Sequence, residues 1–314
     1  MKLLVTGGAG FIGSHIVEHA LSEGHEVAVL DNLSTGRREN VPARVKLFEV
    51  DLRDREGTQR VVSDFKPTVV SHQAAQASVS ISVRDPALDV TINVIGSINL
   101  CDACVTQGVE LVVFASTGGA IYGEVPEPTL AKESSEPLPY SPYAISKLTV
   151  EKLLHFYSGE RGLNYRVLRY ANIYGPRQDA HGEAGVVAIF AERMLSGVPI
   201  QVNARRELGD AGCVRDYAYV GDVARANLAA AAGRIESRVT NVGTGIGVST
   251  RELADMMQRT LGIDATIKPG PHRAGDLERS VLDPSLCTQL LGTPVRIEAG
   301  LATTLEWYRA HRSA

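Results

Sequence analysis

The chain has little cysteine, no excess of basic charge, no long apolar run and no repeat, and each shortage closes a route. Four cysteines in 314 residues are too few for a disulfide-stapled secreted fold. Cys101 and Cys104 form a C-x-x-C, but no second cysteine or histidine pair stands at zinc-ligand spacing. They read as structural or free thiols. The charge balance is 32 Lys and Arg against 36 Asp and Glu, net −4, which offers no electrostatic case for nucleic acid or an anionic membrane. No uninterrupted apolar run reaches the roughly 18 residues of a membrane span. The first residues lead straight into a glycine loop, with no room for a signal peptide. A cytoplasmic protein without nucleic-acid or membrane partners is therefore expected. Repeat architectures and low-complexity tracts are absent too.

What is present is ordinary globular composition, 44% hydrophobic and 22% charged, in a chain long enough for one large or two modest domains. Short apolar runs alternate with helical patterns through the first 170 residues or so. Strands are predicted at Lys2–Thr6, Glu26–Leu30, Val45–Val50, Thr68–His72, Leu111–Ser116 and Tyr165–Arg169. Helices are predicted over 11–23, 54–65, 87–107 and 142–161. Runs such as Val-Ala-Val-Leu are buried on both faces, as in a parallel sheet covered by helices. The fold class is α/β, a Rossmann-type doubly wound sheet with ligands at the carboxyl ends of the strands. After about residue 175 the rhythm breaks into shorter elements. The predicted division is 1–174 for nucleotide binding, with 214–243 returning to it, and 175–213 with 244–314 as a smaller substrate lobe.

Two motifs carry the chemistry. Thr6-Gly-Gly-Ala-Gly-Phe-Ile-Gly13 lies between the first strand and the first helix, the context of a dinucleotide loop. Gly7 suits the tight turn, Gly10 the approach of a pyrophosphate, and Gly13 close helix–strand packing. Asp31 ends the second strand, where a carboxylate accepts from ribose hydroxyls and repels a 2′-phosphate, so NAD is favoured over NADP. Asp51 and Leu52 follow the third strand. They can flank the adenine, and Asp51 or Asp54 can equally cap the helix near 54. The second motif is Tyr143-x-x-x-Lys147. At i and i+4 a phenol and an ammonium share one helix face, about 6 Å apart along the axis. A neighbouring cation favours the phenolate, so the pair can exchange a proton with an alcohol beside a nicotinamide.

With those residues assembled, the chain resembles the extended short-chain dehydrogenases/reductases. Within them it is similar to the nucleotide-sugar epimerases of the UDP-glucose 4-epimerase type. Further motifs carry the resemblance: Asp31-Asn32-Leu33, His72-Gln-Ala-Ala75, Asn93-Val-x-Gly96, Ala115-Ser-Thr117, Tyr122-Gly123, Leu168-Arg-Tyr-Ala-Asn172-x-Tyr-Gly-Pro176 and Arg215-Asp-Tyr217. The resemblance implies Tyr143 as acid/base, Lys147 on the nicotinamide ribose, and a hydroxyl from Thr117 or its neighbour Ser116 on the substrate O4. The loop after that hydroxyl is one residue longer than the family pattern, so both remain candidates. It implies NAD contacts from Gly7, Gly10, Phe11, Ile12, Gly13, Asp31, Asn32, Ser34, Thr35, Gly36, Asp51, Leu52, Gln73, Ala74, Ala75, Gln76, Asn93 and Tyr170, besides Tyr143 and Lys147. On the substrate side it implies Asn172, Val187, Arg215, Arg273, Asp276 and Ser280. His181 and Glu183 do not make a metal site, and no metal is expected.

The implied activity is reversible C4 inversion of a UDP-hexose, through a 4-keto sugar and a retained NAD, in a homodimer built on helices 87–107 and 142–161. A dehydratase would carry an Asp-Glu pair after the catalytic threonine, where this chain has Gly118-Gly119. A UDP-glucuronate decarboxylase or epimerase, a dehydrogenase, and a non-catalytic NAD-binding sensor are the alternatives. Bulky Tyr holds the Ser280 position in epimerases restricted to plain hexoses, so the N-acetyl forms of the substrate are expected to fit here.

Overall fold

The apolar runs assemble into a seven-stranded sheet in the computed structural model, which describes residues 1–180, 185–273 and 276–311. In chain order its first six strands are β1 (Lys2–Thr6), β2 (Glu26–Asp31), β3 (Lys46–Glu49), β4 (Val69–His72), β5 (Leu111–Thr117) and β6 (Asn164–Tyr170). Across the sheet the order is β3, β2, β1, β4, β5, β6 and then the strand Val239–Val242. The pairs β1–β2, β1–β4, β2–β3 and β4–β5 are parallel. Strand order therefore reverses beside β1, the switch point where doubly wound sheets bind ligands. Leu3, Leu4 and Val5 are fully buried, each contributing about 1.5–3 kcal/mol by leaving water. Two-sided burial explains why these strands show no alternation.

The helices start where local chemistry dictates. Asp54 caps Arg55–Phe65 by accepting the Gly57 N–H at 2.9 Å. Ser141 caps Pro142–Arg161, Pro142 opens it, and Gly162 closes it in the left-handed conformation. The predicted helix 87–107 is a continuous run, Pro86–Gln107, containing a π turn at Thr91–Ile95. Its length and composition would allow it to cross a membrane, although half of its most apolar window is buried in the protein. Asp89 and Asn93, both buried on this run, bind Gln76, so it is built as a core helix. The thiols of Cys101 and Cys104 on it are free and buried, and burial pushes Cys101 up to about 12.

The chain divides into two compact units. The first comprises Met1–Thr117, Pro139–Arg169 and Val223–Thr240; the second Gly118–Leu138, Tyr170–Asp222 and Asn241–Ala314. The division differs from the expected boundaries at 118–138, 170–174, 214–222 and 241–243, all of which fall in the second unit. Val214–Tyr219 does not join the large sheet. It pairs with Gly247–Ser249, Arg279–Ser280 and Asn172–Tyr174 in a second sheet. Gly118–Leu138 joins the second unit because its backbone and Glu133 bond there: Val125 N–H to Arg279, Ala131 N–H to Val281, and the Glu133 carboxylate from Asn241 N–H. A core of Tyr174, Phe190, Met194, Leu253, Met257 and Leu305 fills that unit.

Candidate active site

In the first unit the glycine loop is shaped by contacts that exclude side chains. Gly7 has φ +68°, and a Cβ there would stand 2.7 Å from the Ala74 nitrogen. A Cβ on Gly13 would stand 2.1 Å from the Gly7 carbonyl oxygen, so only glycine lets the helix lie this close to β1. The helix Phe11–Ser22 begins at Gly10 with no side-chain cap and no acidic residue in its first turn. Its N–H groups and positive dipole end suit a pyrophosphate. Phe11 and Ile12 form that first turn.

Asp31 is buried and oriented by two backbone donors, Ala9 N–H at 3.0 Å and Leu33 N–H at 2.9 Å. Burial pushes its carboxyl above the usual range, against the lowering effect of those bonds. The following loop is tied by Asn32, which accepts from Ser34 and donates to Asp51 at 2.8 Å. Thr35 lies between Ser34 and Gly36, and Gly36 packs against Ala9 and Asp31. Asp51 is not the helix cap. Arg53 binds it at 2.7 Å and holds it well below the usual carboxylate range. Leu52 is buried against Gly96. A glycine loop, an uncapped helix start and an oriented Asp31 together fit a dinucleotide with unmodified ribose.

The segment 73–76 leaves β4 beside this loop. Ala74 N–H donates to the Thr6 hydroxyl at 3.2 Å, and Gln76 N–H to the Asn93 side chain at 2.8 Å. Ala75 lies between them. Gln73 donates to Ser71 and Asn227. Asn93 returns a bond to the Gln76 carbonyl and reaches Ser146 at 3.1 Å, so it is a strut between this segment and the Tyr143 helix.

Tyr143 is half-buried and Lys147 buried. Lys147 Nζ donates to the Ala115 carbonyl at 3.0 Å and stands 4.9 Å from the Phe114 ring centre and 5.9 Å from that of Tyr143. His72, bonded to Thr6 at 2.8 Å and Ser97 at 2.9 Å, is lowered to about 3 by burial and then by the charge of Lys147. Ser116 and Thr117 are not equivalent. The Ser116 hydroxyl donates to Glu151 Oε1 at 2.5 Å. Thr117 follows it on β5, so its side chain takes the opposite face.

In the second unit, Arg215 and Ser280 are register partners on adjacent parallel strands. Arg215 Nη1 donates to the Val214 carbonyl. Ser280 is 2% exposed, and its hydroxyl oxygen has no protein partner; neither has the buried Oδ1 of Asn172. These orphaned atoms suit a polar ligand. Val187 is a core residue at 1% exposure. Arg273 and Asp276 are exposed, and the Asp276 N–H donates to the Arg273 carbonyl at 3.2 Å. Tyr170 is buried. His181 and Glu183 lie outside the described residues. Among the described residues no cluster of three or more His, Cys, Asp or Glu is arranged to hold a metal.

Sequence reading passed over three charged residues. Glu151 and Arg169 form a buried pair at 2.6 Å. Glu151 follows Lys147 by four, and that spacing was the available signal. Asp216 is 1% exposed and accepts from Thr244, Gly245 and Leu282, which orders the turn after Val239–Val242. Burial pushes its carboxyl up despite these bonds. Inside the Arg-Asp-Tyr motif nothing distinguished this role.

The fold and first-unit site define a dinucleotide-binding enzyme of the doubly wound class. The profile of the NAD dependent epimerase/dehydratase family matches residues 3–243. A UDP-glucose 4-epimerase of Mycolicibacterium smegmatis is 41% identical over 98% of this chain and 99% of its own. The crystal structure of Thermus thermophilus UDP-glucose 4-epimerase complexed with NAD is 55% identical, with TM-score 0.95, covering 99% of this chain and 100% of that one. The Thermotoga maritima UDP-glucose 4-epimerase with UDP-glucose is 46% identical, with TM-score 0.91 and 99% coverage of both chains. This chain belongs to the NAD dependent epimerase/dehydratase family.

Proposed function

We propose that this protein catalyses the reversible C4 epimerisation of a UDP-hexose, interconverting UDP-glucose and UDP-galactose with tightly held NAD. The observation that carries it is the buried Lys147 ammonium one helical turn from Tyr143, in a chain similar over its whole length to epimerases named for that reaction. When bound, NAD supplies a hydride acceptor and donor. The chain's own part is binding and proton transfer. Tyr143, with its phenolate favoured by Lys147, takes the proton of the C4 hydroxyl and returns one after the sugar turns. The Thr117 hydroxyl bonds the substrate O4, since that of Ser116 is committed to Glu151.

The loop from Gly7 to Gly13, Asp31 to Gly36, Asp51, Leu52, the segment Gln73 to Gln76, and Tyr170 hold the cofactor. Asn93 serves it through Gln76. In the second unit Asn172, Arg215 and Arg273 hold the diphosphate, where a guanidinium fork donates two parallel bonds. Asp276 binds the uridine ribose, the segment at Val187 lines the substrate side, and Ser280 leaves room for a C2 N-acetyl group. Dehydration is disfavoured because a Cβ at Gly119 would stand 3.1 Å from the orphaned Asn172 Oδ1, which crowds the acid/base pair a dehydratase needs there.

A homodimer is the working form. Apolar Val83, Val90 and Ile95 on Val79–Arg84 and Pro86–Gln107, and Ile145 and Phe156 on Pro142–Arg161, are each more than 40% exposed. The eleven residues from Ile145 to Phe156 bring them back within about 20° of one helix face. The setting is cytoplasmic, where a reducing environment keeps thiols such as Cys101, Cys104 and Cys213 free. The test is to incubate purified protein with UDP-galactose and no added NAD. UDP-glucose formed without net NADH is the expected result. Net NADH, another product or no turnover would reject the reading.

A further inference from the structure

Glu151 is the third member of a stripe that already holds Tyr143 and Lys147 at four-residue spacing. On an open helix, Lys147 and Glu151 at i and i+4 would pair with each other. Here the carboxylate turns to β6. Arg169 Nε reaches Glu151 Oε1 at 3.0 Å and Nη2 reaches Oε2 at 2.6 Å, a bidentate fork. Ser116 on β5 adds a third bond to Oε1 at 2.5 Å. All three residues are buried, at 7%, 5% and 3% exposure for Glu151, Arg169 and Ser116. A buried ion pair is a weak source of stability, because desolvation cancels much of its attraction. What this one does is fix position. Two successive residues of β5 engage two successive turns of the helix: the Ala115 carbonyl takes Lys147, and the Ser116 hydroxyl goes to Glu151. Thr117 comes next. A one-residue slip of β5 would exchange the faces of Ser116 and Thr117.

We propose that Glu151 and Arg169 form a positioning clamp for the proton-transfer site: through Ser116 they pin the end of β5 to the Tyr143 helix, and Arg169 keeps the Glu151 carboxylate from being drawn to Lys147. The clamp rests on the reading of Tyr143 and Lys147 given above. Losing Arg169 and losing Glu151 delete the same ion pair but leave opposite charges behind. Without Arg169, the carboxylate is left to Lys147, one helical turn back on the same face, and Lys147 is pulled from Ala115.

The test compares holoenzyme variants with UDP-galactose as substrate. Arg169→Met is expected to lower kcat on the order of 100-fold, as for a small misplacement of catalytic groups, with KM changed by no more than about threefold. The double variant Glu151→Gln/Arg169→Met removes both charges of the pair and keeps an oxygen for Ser116. It is expected to recover kcat to within about tenfold of wild type. A double variant as impaired as Arg169→Met, or an Arg169→Met enzyme with wild-type kcat, would overturn the clamp. A crystal structure of Arg169→Met gives a readout independent of turnover. Glu151 is expected within about 4 Å of Lys147 Nζ, and Glu151 still held only by Ser116 would refute the proposal. A wild-type protein that retains NAD but does not epimerise would sink the functional reading, and this crystallographic arm would still judge the clamp.

Discussion

Ser280 lies directly across from Arg215 in adjacent parallel strands, buried, with no protein partner for its hydroxyl oxygen. In the proposed function, Ser280 beside Arg215 leaves room for the substituent at C2 of the sugar. The enzyme is expected to turn over UDP-N-acetylhexosamines as well as plain UDP-hexoses. Ser280→Tyr is expected to reduce kcat/KM for the N-acetyl class on the order of 100-fold relative to the plain class. Paired kinetics on both sugar classes decide this; no N-acetyl turnover by wild type would refute it.

Tyr143→Phe keeps the ring that packs on the helix and removes the hydroxyl. NAD is expected to co-purify as before, and kcat to fall by about 10²–10⁴-fold. Absorbance of the released cofactor and steady-state rates are the measurements. Wild-type turnover in this variant would reject the acid/base role.

His72 makes stability depend on pH. Its folded-state value lies near 3, below the ordinary 6.5, because burial and then Lys147 oppose its charge. Above about pH 6.5 neither state takes the proton. Below that the unfolded chain takes it first, so stability is lost as pH falls toward 3, at up to about 1.4 kcal/mol per pH unit. Urea denaturation is expected to show a contribution from this residue of about 2 kcal/mol between pH 7 and pH 5. His72→Gln should be weaker at pH 7 but lack that component of the slope. Identical slopes for both proteins would show that His72 is not the titrating group.

The exposed apolar faces of Pro86–Gln107 and Pro142–Arg161 call for a partner. Sedimentation at micromolar concentration is expected to give a dimer for wild type. Ile145→Glu, which puts a charge in the middle of the proposed interface, is expected to give a monomer. A wild-type monomer would count against the assembly.

Much of the candidate site could be proposed from sequence because its chemistry is local. The glycine loop needs particular residues at particular steps from β1, and the Tyr143–Lys147 pair needs only one helical turn. Helix 142–161 matched its observed ends because Ser141, Pro142 and Gly162 are punctuation that acts within a few residues. The strand Val214–Tyr219 was misplaced because its pairing partners come from three distant segments. Strand propensity says nothing about which sheet will accept a strand.

By itself, the sequence determined the class of fold, the cofactor loop and the phenol–ammonium pair, since each follows from spacing along a single element. Only the tertiary structure set Ser116 against Glu151 and apart from Thr117, chose Asp54 over Asp51 as the helix cap, and showed Arg169 holding Glu151. Those outcomes depend on which side chains from separate strands and helices are buried together, where a charge must find a partner or stay out.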